Sequence, residues 1–249
     1  MIRAAAVTAL FAAALPAAAQ PAPANFTLTT YGWLSATDGR MGAGGRTVGV
    51  SNSFRDTIQD SDTVLSFMAR GEYRQDRLGL FLDGMYTRLG YDDLRVGGAV
   101  ANAASTLFIL EAGAAWEAAA GGLGAEGDWA LDLLGGARWT RVRNEIAFNS
   151  GGPAADSRTD WVDPFIGLRL RGQFAPRWEY TLRGDIGGFG VGSDFAWQAA
   201  ATIGYRFDLL GLEAVAHAGY RALSQDFESR RLVWDITLHG PLVGLSLRF

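Results

Sequence analysis

The segment Trp178–Ile186, which reads WEYTLRGDI, decides the fold because apolar and polar residues alternate along it without a break. Neighbouring side chains of a β-strand point to opposite faces, so one face here carries Trp178, Leu182 and Ile186 and the other carries every charge. The same pattern recurs along Thr63–Arg74 and Asp194–Phe207. These segments are therefore predicted to be β-strands with one apolar and one charged face.

Ten segments of the chain carry this alternation. They are Phe26–Ala36, Thr63–Arg74, Arg77–Gly90, Thr106–Ala118, Trp129–Arg143, Trp161–Phe174, Arg177–Gly188, Asp194–Phe207, Leu212–Leu223 and Leu232–Phe249. Most exceed the roughly 5 to 6 residues of a soluble strand and reach the roughly 9 to 11 that a tilted membrane strand needs. The expected fold is all-β, a closed antiparallel transmembrane β-barrel of about ten strands, with twelve as the alternative.

Alternation alone does not say whether the apolar face looks at lipid or at a soluble core. Three features favour lipid: the length of the strands, aromatic residues near strand ends such as Trp129, Trp161, Trp178 and Tyr205, and the near absence of charge at apolar-face positions. Aromatic girdles around an uncharged band are typical of outer-membrane barrels. The charged face is then expected to line the lumen.

Connections between the predicted strands alternate in length. Thr37–Asp62, Tyr91–Ser105 and Asn144–Asp160 are long, whereas Gln75-Asp76 and Ala175-Pro176 are tight. Outer-membrane barrels combine short periplasmic turns with longer external loops. Both termini are therefore expected on the periplasmic side.

The longest connection leaves several interpretations open. Thr47, Val48 and Val50 could form a short extra strand. Ser53–Gln59 has a serine cap and helical spacing, which fits either an ordered external loop or a short helix folded into the barrel mouth.

Residues 1–19 have the pattern of a signal peptide. Arg3 precedes an apolar run from Ala4 to Leu15, and Ala17-Ala18-Ala19 resembles a cleavage site. The run is shorter than the roughly 20 residues of a spanning helix. We therefore expect a leader over 1–19 and one mature barrel domain over 20–249 in the outer membrane of a Gram-negative cell.

Composition limits the chemistry. The 249 residues carry a net charge of −4, which argues against nucleic acid as a partner. Cysteine is absent and histidine occurs only at His217 and His239, so no metal site or other cofactor is predicted. Neither histidine has a Ser or Asp at a spacing typical of catalysis, and an enzyme is therefore not expected. Before Gly240-Pro241 the apolar residues stand at even positions, and after it they stand at odd positions. This change of face predicts a β-bulge there.

The polar faces carry charges of both signs, which we expect to pair inside the lumen. The predicted lumen network consists of Arg70, Glu72, Asp83, Glu111, Asp132, Arg138, Asp163, Arg169, Arg171, Arg183, Asp185, Arg206, Glu213 and Arg221. About eight strands leave room only for side chains or a small ligand, whereas open channels take about 16 to 18. A plugged or very narrow lumen is expected, as a structural polar core or as a selective pathway.

The last residues of the chain resemble the terminal assembly signal of outer-membrane barrels. Gly244, Leu247 and Phe249 match it, while Leu242 stands where a polar residue is more common. The resemblance implies recognition by the barrel-assembly machinery and a final location among outer-membrane lipids.

More of the mature chain is similar to an uncharacterised proteobacterial family of porin-like outer-membrane β-barrel proteins. The similar segments are Tyr31-Gly32-Trp33, Ser53–Ile58, Leu78–Asp83, Gly184–Asp194, Gly204-Tyr205-Arg206 and Gly219-Tyr220-Arg221. This resemblance implies fold and location and brings no activity.

The functional expectation is a structural or narrow-channel barrel with a charge-paired lumen. The alternative is a surface interaction or adhesion module that uses Thr37–Asp62 and Asn144–Asp160. A barrel hydrolase is the less favoured third hypothesis.

Overall fold

The fold was established from a computed structural model of the chain. It describes residues 25–43, 46–52, 63–96, 99–124, 127–148, 155–230 and 232–249. The predicted leader over 1–19 and the segment Ser53–Gln59 lie outside these ranges. The described residues contain no helix with the length and apolarity that crossing a membrane requires.

The described residues form twelve β-strands. They are β1 (Asn25–Trp33), β2 (Ala36–Ala43), β3 (Arg46–Asn52), β4 (Thr63–Gln75), β5 (Leu78–Val96), β6 (Ala99–Leu123), β7 (Gly127–Phe148), β8 (Ala155–Ala175), β9 (Trp178–Gly187), β10 (Phe195–Leu209), β11 (Leu212–Glu228) and β12 (Val233–Arg248). Residues Thr47 and Val50 thus lie in an extra strand, one of the interpretations that the sequence left open.

Ten of these strands close into an antiparallel barrel, because β1 pairs with β4 on one side and with β12 on the other. The predicted all-β transmembrane barrel is therefore confirmed. Strands β2 and β3 form an additional hairpin, in which β2 pairs with the N-terminal half of β12, Val233–His239. Trp33 pairs with Leu242 and Ala36 with His239, so β2 continues β1 along β12 in the same register.

Two predicted loops are largely strand. The connection predicted over Tyr91–Ser105 is occupied by the ends of β5 and β6, and much of Asn144–Asp160 belongs to β7 and β8. The prediction of long loops was wrong here because both hairpins continue their backbone ladders beyond the apolar band. The tight turns lie at the opposite end, beside Asn25 and Phe249.

The outer surface of the barrel is apolar. Phe67, Leu182 and Ile203 expose 64%, 48% and 52% of their surface and alternate with inward charged or polar residues. Aromatic contacts near the turn end include the stacked pair Phe174–Trp178. An exposed apolar band with aromatic residues at its edge is the lipid-facing surface of an outer-membrane barrel.

The predicted β-bulge at Gly240-Pro241 is absent. β12 pairs with β11 without a register shift, and Leu238, Gly240 and Leu242 are all buried on the inner face. The apolar parity changes because the interior itself changes from apolar to polar along the strand, so inward residues are apolar above this point and more polar below it.

Candidate functional site: the charged interior and its cavity

A first group of ion pairs surrounds Glu72 and Asp132 near the turn end of the barrel. Arg169 donates to both carboxylates, from Nη1 to Glu72 at 2.6 Å and from Nε to Asp132 at 2.9 Å. Arg74 and Arg171 also donate to Asp132, at 3.1 and 3.0 Å. One buried carboxylate is thus shared by three guanidinium groups.

A second group lies deeper and surrounds Arg138. Its Nε is 2.8 Å from Glu111 and its Nη2 is 2.8 Å from Asp185. Arg183 bridges the same two carboxylates at 2.8 Å each, and Arg221 reaches Glu111 at 3.3 Å. Buried charges of opposite sign are stable only when paired and hydrogen-bonded in this way.

Tyr31 connects the two groups. Its hydroxyl donates to Asp83 at 2.6 Å and accepts from Arg221 at 3.0 Å. Asp83 in turn lies 3.6 Å from Arg70, which belongs to the first group. Sequence reasoning did not single out Tyr31, although it lies on the inward face of β1.

The structure brings eleven of the fourteen predicted lumen residues into these two groups: Arg70, Glu72, Asp83, Glu111, Asp132, Arg138, Arg169, Arg171, Arg183, Asp185 and Arg221. Arg206 and Glu213 lie apart at the mouth, where Arg206 pairs with Glu179 and Glu213 pairs with Arg248. Sequence reasoning missed Arg74, Glu117, Glu179 and Arg248. Three of these could have been found because they share a strand face with a known inward residue: Arg74 with Arg70, Glu179 with Arg183, and Arg248 with Ser246.

Asp163 does not join the ion pairs of the described residues. It accepts hydrogen bonds from the backbone and hydroxyl of Ser193 at 2.6 and 2.9 Å. Trp161 and Gln225 donate to it at 3.1 and 2.8 Å. The carboxylate therefore anchors the hairpin between β9 and β10, and its placement in the charge network was wrong.

An apolar cap fills the barrel above the charges. It consists of Trp33, Met68, Met85, Ile109, Val142, Trp161, Leu223, Phe227, Leu232, Trp234, Ile236, Leu238 and Leu242. On β4 and β6 the cap residue lies farther from the turn end than the inward charge, Met68 beyond Arg70 and Ile109 beyond Glu111. Within the cap, the rings of Trp161 and Phe227 stack with their centroids 4.3 Å apart.

A cavity of about 670 Å³, lined by many of these charged side chains, opens at the turn end. Arginines and carboxylates both line it: Arg70, Arg74, Arg169, Arg171, Arg183, Arg206, Arg221 and Arg248, and Glu72, Asp83, Asp128, Glu179 and Glu213. Arginines are the more numerous of the two. At the inner end it is lined by Tyr31, Arg183 and Arg221, together with Leu242 of the apolar cap.

Each histidine has a partner that the sequence did not reveal. His217 Nε2 lies 2.7 Å from Ser246 Oγ, on the cavity wall, and Ser246 Oγ lies 2.6 Å from Thr29 Oγ1. These contacts join β11, β12 and β1. Sequence spacing could not reveal this contact, because the pairing register brings together residues that are distant in sequence.

His239 lies outside the barrel, in a hydrogen-bonded chain over four strands. Its Nδ1 is 2.7 Å from the Tyr220 hydroxyl and its Nε2 is 2.7 Å from Asp38, which also accepts from Ser51 at 2.7 Å. The outer face of β12 is apolar from Phe249 to Pro241 and polar from His239 to Asp235. Asp38 therefore lies beyond the apolar band, and the chain fixes the β2–β3 hairpin to the barrel.

No protein-family model and no curated protein matches the chain. Among solved structures, the attachment invasion locus protein Ail of Yersinia pestis, in complex with the heparin analogue sucrose octasulfate, is 12% identical, with a TM-score of 0.40 over 91% of this chain and 98% of that one. The outer membrane protease OmpT of Escherichia coli is 10% identical, with a TM-score of 0.48 over 91% and 97%. Neisserial surface protein A is 12% identical, with a TM-score of 0.34 over 93% and 100%. At these identities and TM-scores the similarities carry no information on ligand or activity.

The chain's own geometry defines its class. A closed antiparallel barrel with an apolar outer band and a charged interior is an outer-membrane β-barrel protein. Its location is the bacterial outer membrane.

Proposed function

We propose that this protein is a non-conducting outer-membrane barrel with a structural role. The apolar cap is the observation that carries this proposal. Eight of the ten barrel strands contribute to it, and Trp161, Ile109 and Leu223 are no more than 5% exposed. Moving an ion past this layer would strip its water in exchange for a largely apolar surface, which costs several kcal/mol or more. The polar groups at this depth, Asp163 and Gln225, are already hydrogen-bonded to each other.

The charged groups below the cap support the same role. A conducting lumen leaves charged side chains in water, but Arg138 and Asp185 are fully buried and bonded to each other. Ion pairs of this kind link β6, β7 and β9 across the interior and favour one arrangement of the barrel. Outer-membrane lipid and, during biogenesis, the barrel-assembly machinery are the partners that this role requires.

Planar bilayer recording tests the proposal. The purified chain, shown to be folded by its heat-dependent gel mobility, should give no discrete conductance steps over a range of salt and voltage. Reproducible small steps from the folded protein would favour the narrow channel instead.

A surface interaction role is the second candidate, favoured by the two hairpins that continue beyond the apolar band. Arg143 and Asp156 pair across the β7–β8 hairpin at 2.7 Å with both side chains exposed. Replacing residues 145–156 by a tight turn should leave the barrel folded and reduce attachment of expressing cells to host-cell monolayers. Unchanged attachment would remove this candidate.

A further inference from the structure

We propose that the cavity at the periplasmic end of the barrel binds a small anion that carries carboxylate or phosphate groups. Its volume of about 670 Å³ falls within the roughly 300 to 1,000 Å³ of small-molecule sites. Its mouth lies among the tight turns and both described ends of the chain, and the apolar cap lies beyond the other end. The ligand therefore enters from the periplasm.

Charge is distributed unevenly across the cavity wall. Arg171 and Arg248 expose 31% and 35% of their side chains, and Arg206 exposes 19%. Among the lining carboxylates, Glu72 and Glu179 expose 16% and 13%, whereas Glu213 at the rim exposes 47%. Eight arginines against five carboxylates leave the lining side chains with an excess of positive charge.

The guanidinium groups also have donors to spare. An arginine carries five N–H donors in a planar fork, and Asp132 is shared by Arg74, Arg169 and Arg171. Nη1 of Arg74 is buried and makes no hydrogen bond with the described residues. Carboxylate and phosphate oxygens match this fork and form charge-assisted pairs with it.

Two charged residues at the mouth of the cavity can be substituted with opposite expected effects on anion affinity. Arg206 carries a positive charge at the mouth and pairs with Glu179. Glu213 carries a negative charge at the rim, where 47% of its side chain is exposed. Removing the first charge should weaken anion binding, and removing the second should strengthen it. Arg143, on the external β7–β8 hairpin, is the matched control because it does not line the cavity.

Isothermal titration calorimetry on the folded mature barrel in non-ionic detergent tests the proposal, with citrate and pyrophosphate as probes and sucrose as the neutral control. We expect saturable binding of at least one polyanion, weakening as salt rises, and none of sucrose. Binding of citrate alone identifies carboxylate as the recognised group, and binding of pyrophosphate alone identifies phosphate.

Arg206→Gln should weaken the polyanion about tenfold, the loss expected for one charge-assisted hydrogen bond. Glu213→Gln should tighten binding, and Arg143→Gln should leave it unchanged. Glu213→Gln decides the matter if the Arg206 variant does not fold. Failure of both polyanions to bind, equal binding of sucrose, or one affinity for wild type and Glu213→Gln would overturn the proposal. The result is independent of whether the barrel conducts.

Discussion

Arg138 and Glu111 form an ion pair that has no access to solvent. Arg138 Nε lies 2.8 Å from Glu111 Oε1, and the exposed fractions of the two side chains are 0 and 1%. Each charge has lost its hydration, so each depends on the other and on Asp185 and Arg183 for compensation. The interior of this barrel is therefore held by a network from which no single charge can be removed cheaply.

Replacing Arg138 with methionine should be strongly destabilising. Arg138→Met keeps the apolar stem but leaves Glu111 and Asp185 with too little positive charge, which costs about 3–5 kcal/mol. Urea unfolding in lipid vesicles measures the loss. Arg143→Met, at an exposed pair, should change stability by less than about 1 kcal/mol. Equal effects of the two substitutions would contradict the dependence of the fold on the buried Arg138 pairs.

The stacked pair in the cap predicts a second large effect. Phe227→Ala removes the ring that lies 4.3 Å from Trp161 and leaves a cavity among buried side chains. The expected cost is about 3–5 kcal/mol in the same unfolding experiment. Leu182→Ala removes an apolar side chain that faces lipid and should cost much less. A smaller loss for Phe227→Ala than for Leu182→Ala would show that the cap is loosely packed.

The hairpin between β9 and β10 depends on one glycine more than on its neighbour. Gly188 has φ +84°, and a Cβ there would lie 2.6 Å from the carbonyl oxygen of Ser193. Gly190 has φ +72° with open space around it. Gly190→Ala should therefore cost about 1 kcal/mol, the penalty of left-handed backbone alone. Gly188→Ala adds a steric clash and should cost clearly more in urea unfolding; equal losses would contradict this geometry.

Attachment of the β2–β3 hairpin should depend on pH. Hydrogen bonds to Asp38, first from His239 and then from Ser51, hold the pKa of its carboxyl below the ordinary value of 3.8. Because the folded-state pKa is lowered, the stabilisation is present above the unfolded pKa and is lost as pH falls through the folded value. Amide exchange in β3, corrected for intrinsic rates, should accelerate below about pH 4. Asp38→Asn should remove this pH dependence, and acceleration on raising the pH would contradict it.

The strands could be predicted from the sequence because alternation is local. Their ends could not, since the ladders of β5, β6, β7 and β8 continue where the sequence no longer alternates clearly. β12 illustrates the limit: apolar residues change parity between Leu238 and Val243 although the strand is regular. The pattern reports the polarity of the surroundings on both faces, and here the inner surroundings change from the apolar cap to the charged groups.

The candidate site was predictable as a set of inward charges but not as a set of pairs. Arg169 and Glu72 are 97 residues apart and meet across the lumen, and no spacing along the chain encodes that contact. The same holds for His239 and Asp38, separated by 201 residues. Asp163 shares the parity of the network, yet its partners come from a hairpin whose conformation the sequence did not specify.

If the apolar cap separates the cavity from the cell exterior, a cysteine placed in the cavity should be protected from reagents outside the cell. The chain contains no cysteine, so single cysteines can be introduced without further changes. Thr202 lines the cavity, and Asn52 is exposed on the external hairpin. A bulky, membrane-impermeant maleimide added to intact cells should label Asn52→Cys but not Thr202→Cys, whereas both should react once the outer membrane is permeabilised. Labelling of Thr202→Cys in intact cells at the rate of Asn52→Cys would contradict a closed barrel.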